Sequence, residues 1–158
     1  VVKEAGPSVP VEITGLDDVV NRLQRLANPR RTKSIARKAA RQAMNIVRDA
    51  ARSNAKAIDD PDTTEKIWKN ISVAAGKSKN KDVIVMRVGI RGGASYSNPT
   101  PPNTSGGDTR YWRFLEIGTS NMPATPFMRP ALASNIQQVT NKFSEVFNAE
   151  LDKELANL

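Results

Sequence analysis

At 158 residues the chain is long enough to bury a core as one domain without covalent staples. It contains no cysteine and no histidine, which removes disulfides, thiolate zinc sites, cysteine nucleophiles and the usual general base together. A net charge of +8 points toward an acidic partner, and no apolar run reaches membrane-spanning length.

Residues 1–10, with two prolines and a glycine, read as a flexible lead-in. They lack the basic-then-apolar pattern of a signal segment, so the expectation is a protein that stays in the cytoplasm where it is made. Residues 11–14 alternate as a short edge strand, and Thr14 with Asp17 resembles a capping box. Leu16, Val19, Val20, Leu23 and Leu26 follow at helical spacing until Asn28-Pro29 ends the helix. A second helix is predicted over residues 32–57. At about 100° per residue, Ile35, Ala39, Ala43, Ile46 and Ala50 share one side, and Arg37, Arg41, Arg48 and Arg52 the other.

That arginine stripe has two readings. One is the solvated face of any surface helix; the other is a surface that meets DNA phosphate or an acidic protein wall. From Arg22 to Lys56 eleven Lys or Arg accompany a single acid, Asp49, whereas Glu145, Glu150, Asp152 and Glu154 face only Lys153. A basic front and an acidic tail attract each other between copies as readily as either attracts a foreign partner.

Asp59, Asp60 and Asp62 offer oxygen ligands for magnesium or calcium, but three acids in a proline-containing turn read first as a solvated loop and helix N-cap. No metal and no cofactor is expected. A short helix through Glu65, Ile67 and Trp68 precedes the alternation Ile71, Val73, Ala75; after a polar loop, Ile84, Met86, Val88 and Ile90 share one face. This is a β-hairpin with a basic tip. Residues 92–110 hold four Gly and three Pro among Ser, Thr and Asn, and read as a flexible loop that either orders against a neighbour or remains a floppy insertion. Residues 111–117 read as a strand or a helical turn, with Tyr111, Trp112 and Leu115 favouring a short helix, and Gly118 allows a sharp change of direction. Leu132, Ile136, Val139, Phe143, Phe147, Leu151 and Leu155 keep helical spacing to the end, with Pro130 in the first turn. The fold class is α+β: long helices packed against a small antiparallel β-sheet, with a long C-terminal helix, in a single domain over 11–158.

Residues 111–130 carry four of the eight aromatics. There, Phe114-Leu-Glu-Ile-Gly-Thr is followed by Ala124-Thr-Pro-Phe-Met-Arg-Pro-Ala-Leu, and this pairing resembles the tail-completion, or neck, proteins of lambda-like long-tailed bacteriophages. Gly15-Leu-Asp-Asp-Val-Val and the alanine-rich second helix also fit, so the likeness spans about residues 11–155. One departure is that Pro61, Thr63 and Thr64 are present without the glycine that such proteins often carry after the second helix.

The resemblance implies a structural virion protein, made in the host cytoplasm, that acts where the tail ends and meets the head. Copies would form a ring, hexameric to match the tail, around the DNA channel. Tail-tube, tail-terminator and head–tail connector proteins would be its neighbours. Under that reading Trp112, Phe114 and Phe127 are apolar anchors, in the core or across a subunit boundary. Gly118 and Thr119 turn the chain, Pro126 and Pro130 stiffen the approach to the helix, and Glu116 with Arg129 form an ion pair within or between subunits. Arg37, Arg41, Arg48 and Arg52 face the channel DNA or a neighbour's acidic tail. Two other classes compete. A small basic nucleic-acid-binding protein fits the charge but has no recognisable reader motif. A carboxylate-based hydrolase would rest on Asp59, Asp60, Asp62 and Glu116.

Overall fold

The computed structural model describes residues 16–158; the expected lead-in at 1–10, the edge strand at 11–14 and the Thr14 cap lie outside the described residues. Helix α1 (Leu16–Leu26) stops where Ala27 adopts φ 48° and Asn28 turns extended. The same dipeptide that ends α1 starts α2 (Pro29–Ile58): the Asn28 side chain accepts from the Arg31 N–H at 3.2 Å, and Pro29 needs no donor in the first turn. Helix α2 therefore begins a turn earlier than its apolar spacing suggests. Of the α1 positions at apolar spacing, Val19, Leu23 and Leu26 pack inward, while Val20 remains 44% exposed because α1 meets the body only along one edge.

The buried residues of α2 are Ile35, Ala39, Ala43, Val47, Ala51 and Ala55, one at every fourth position. Ile46 and Ala50, expected on this stripe, are only half-buried beside it. A strict four-residue step advances about 40° each time, so the stripe winds by about 200° between Ile35 and Ala55. One helix thereby serves two cores. Its first half packs with Leu26, Val146, Phe147 and Leu151; its second half packs with Ile67, Ile71, Phe127 and Ala131. Alanine along the stripe lets both sets approach the backbone closely.

Helix α3 (Ile67–Asn70) leads directly into strand β1 (Ile71–Ala75), which pairs antiparallel with β2 (Met86–Ile90) in the register Ile71↔Ile90, Val73↔Val88, Ala75↔Met86. The predicted apolar face is thus the paired face, and its Ile71 end joins the second core. Short helices α4 (Trp112–Ile117) and α5 (Met128–Ala133) follow, then α6 (Ile136–Ala156). The expected continuous C-terminal helix is thus two. At Ser134 and Asn135 the ladder breaks: the Asn135 side-chain amide donates to the Ala131 carbonyl at 2.8 Å while its backbone N–H goes to Leu132. The class is α+β, with helices dominant and one two-stranded antiparallel sheet among the described residues.

The acidic end of α6 folds back on the basic front of the same chain. Arg22 pairs with Asp152, Arg31 with Glu154 at 2.7 Å and Lys38 with Glu150 at 2.8 Å. The attraction that the sequence left open between copies is made within one.

Candidate assembly motif and basic face

Helix α4 is too short to be stable alone. It is fixed by what Glu116, 5% exposed, does from its last turn. One carboxylate oxygen accepts the backbone N–H groups of Phe127 at 2.7 Å and Met128 at 3.0 Å; the other accepts that of Arg129 at 2.9 Å. Those are the open donors at the start of α5, which has no capping side chain of its own. Glu116 is therefore an N-cap delivered from another helix. The Arg129 guanidinium closes the clasp, reaching the same carboxylate at 3.3 Å and the Glu116 carbonyl at 2.7 Å. The predicted Glu116–Arg129 pair thus lies within the subunit. Burial pushes the Glu116 carboxyl up, but the backbone and guanidinium hydrogen bonds outweigh it and hold the group below its ordinary value.

Between the two helices the chain must reverse tightly. Gly118 does this at φ 82° and ψ 173°, donating to the Phe114 carbonyl; a Cβ there would stand 2.7 Å from the Ala124 nitrogen. Thr119 bridges to Met122, and the Thr125 N–H reaches the Leu115 carbonyl at 2.7 Å. Pro126 is exposed just before the clasp, and Pro130 occupies the first turn of α5, where its missing N–H costs nothing.

The three aromatic anchors separate. Phe127 is fully buried and meets Trp112 edge-on, with ring centroids 6.5 Å apart. Trp112 is half-buried and donates to the Gly93 carbonyl at 3.1 Å. Phe114 stands 50% exposed, and Ile117, one turn further, 61% exposed; Met122 in the following turn is exposed as well. The clasp thus holds an apolar surface outward on a rigid support.

The arginine stripe also separates, for a geometric reason. Arg37 and Arg41 lie about 160° from the buried positions beside them, whereas Arg48 lies only about 60–100° from Val47 and Ala51, and Arg52 the same from Ala51 and Ala55. Arg37 and Arg41 are exposed. Arg48 binds Asp49 at 2.9 Å, and Arg52 donates twice to the Ile71 carbonyl, at 3.0 and 2.7 Å. Arg52 thus belongs to the joint between α2 and the sheet.

Sequence reasoning missed two polar hubs that hold the long loop. Asn70, fully buried, donates to the Gly107 carbonyl and to Thr109, and accepts the Gly106 N–H at 2.8 Å. Gly106 lies so close to the Lys66 carbonyl and Asn70 that no side chain fits. Arg110, 6% exposed, forms a two-pronged bond to Asp108 at 2.8 Å, reaches the Asn98 carbonyl at 2.7 Å and lies over the Tyr96 ring. Their signal was the Gly-Gly pair and the Asp-x-Arg spacing, which apolar periodicity ignores. The acid turn serves as a cap: Asp59 accepts the N–H groups of Ile67 and Trp68 at the start of α3. Among the described residues no His, Cys, Asp or Glu cluster is arranged to hold a metal, and no helix is long and apolar enough to cross a membrane.

Residues 17–118 match the family described as "Bacteriophage HK97-gp10, putative tail-component". The chain belongs to this family. The match covers nearly two-thirds of the chain and ends on Gly118, so the Phe127–Arg129 half of the clasp lies beyond it. As a phage tail component the protein is a part of the virion. No curated protein and no solved structure matches.

Proposed function

We propose that this tail component acts at the neck, completing the tail and supporting head–tail joining as a ring of copies around the DNA channel. A hexamer would match the tail's symmetry, with tail-tube, terminator and connector proteins as neighbours. The observation that carries the reading is the exposed Phe114–Ile117–Met122 surface on a clasped, rigid motif. Apolar groups held outward on an ordered element fit a subunit contact better than a solvated surface. The role is structural, without catalysis or cofactor. Supporting this, two of the four carboxylates a hydrolase would draw on are engaged as helix caps: Glu116 caps α5 and Asp59 caps α3.

The test is electron microscopy of lysates from phage lacking a working copy of this gene. Normal heads beside unjoined or abnormally ended tails are expected. Fully joined, infectious particles would overturn the neck role.

A further inference from the structure

A polar cleft of about 250 Å³ lies between the first half of α2 and the loop joining β1 to β2. Lys33 and Arg37 line it from the helix; Lys81, Ser78, Asn80 and Gly76 line it from the loop. No carboxylate lines it, and among the described residues none of the three cations is in an ion pair. The nearest acid in sequence, Asp82, lines the adjoining apolar groove, which Lys33 also borders, and is in no ion pair with Lys33 among the described residues. The loop has a defined form: the Ser78 hydroxyl accepts the Asn80 N–H at 3.2 Å, and the Asn80 side chain accepts the Asp82 N–H at 2.9 Å, which sets Lys81 at the centre of the second of two successive turns.

The acidic tail of α6 does not neutralise this site. Glu150, Asp152 and Glu154 are taken by Lys38, Arg22 and Arg31, which leaves Lys33, Arg37 and Arg41 as a row on α2. At four-residue spacing this row spans about 12 Å. One DNA strand presents three to four phosphates over that axial length. A lone phosphate would use only the cleft, whereas the row continues beyond it through exposed Arg41.

We propose that this cleft is a phosphate site for a nucleic-acid backbone: Lys33, Arg37 and Lys81 hold one phosphodiester, and Arg41 meets the next along the strand. The contact is with charge and not with bases, so it carries no sequence preference. It does not depend on ring assembly, since one chain supplies every residue.

The experiment is fluorescence anisotropy of a short labelled DNA duplex titrated with the full chain over a salt series. The triple variant Lys33→Ala, Arg37→Ala, Lys81→Ala is compared with a charge-matched control, Lys69→Ala, Lys142→Ala, Lys153→Ala. The cleft variant should bind at least about tenfold more weakly at low salt, with the slope of log K against log salt reduced by about 0.9, the share of the one phosphate that the cleft holds. The control should keep most of both. Equal losses in the two variants would reduce the effect to net charge and overturn the site. So would no loss in either, or binding of inorganic phosphate without binding of the duplex. Displacement of the duplex by polyglutamate at equal charge concentration would overturn it in favour of an acidic protein partner. If the triple variant unfolds by circular dichroism, the single reversal Arg37→Glu takes its place, with the same losses expected.

Discussion

Glu116 decides how α4 and α5 sit on each other, because one carboxylate satisfies three backbone donors and one guanidinium. Glu116→Gln keeps the shape but removes the charge that three N–H groups converge on, and should cost about 2 kcal/mol in urea denaturation near neutrality. The pH dependence has a definite sign. Since the folded-state carboxyl titrates below its unfolded value of about 4.3, its contribution is full above that value and is lost as pH falls through the folded one. The wild-type advantage over Glu116→Gln should therefore shrink below about pH 4; an advantage that grew in acid would contradict the clasp. Gly118→Ala should cost about 1–3 kcal/mol at any pH, through a φ of 82° at ψ 173° and a Cβ against the Ala124 backbone. Of this site, the Glu116–Arg129 pair was legible as opposite charges within one motif. The three N–H bonds were not, because they depend on how two short helices meet across a turn, which no periodicity encodes.

Among the elements, α2 shows what an averaged helical period conceals. Reading residues at 100° per position selects Ile46 and Ala50, whereas the helix buries Val47 and Ala51 because its partners change along its length from α6 to the sheet and α5. Small residues at the fully buried positions are required by that close approach. Ala51→Leu should destabilise by about 1–3 kcal/mol through overpacking, measured as a lowered thermal midpoint. The arginines give a sharper contrast. Arg52→Ala removes both donors to the Ile71 carbonyl and should cost about 1–2 kcal/mol, while Arg37→Ala should change stability by less than about 0.5 kcal/mol. Equal effects at the two positions in chemical denaturation would mean that the stripe is one uniform surface after all. The hairpin and α4 were legible because alternation and aromatic spacing act locally. The break at Asn135 was not, since the apolar spacing from Leu132 to Ile136 runs through it and only a side-chain bond to Ala131 reveals it.

At the scale of the whole molecule, charge and apolar surface divide the work. The sequence shows a basic front and an acidic tail, but only the fold decides that they meet within one chain. The three pairs of α6 with α1 and α2 are largely exposed on at least one partner, so each adds only about 0–1 kcal/mol and serves orientation. Association between copies therefore cannot draw on the α6 tail without breaking contacts already made, which leaves the apolar surface around α4 as the stronger candidate. Phe114 and Ile117 are neighbours one turn apart on that helix, and neither joins either core, so replacing both removes exposed apolar area without opening a cavity. The double variant Phe114→Ser, Ile117→Ser should keep the wild-type thermal midpoint within a few degrees, a shift of about 1 kcal/mol or less. In light scattering after size exclusion, wild-type chain at high concentration should show a mass above that of the monomer, and the double variant should remain monomeric. In a phage carrying the double variant, the protein should be made but missing from purified particles. A variant that assembles and enters particles like wild type would move the contact away from α4. A variant that loses assembly together with its melting transition would make these two side chains part of the fold, against their exposure.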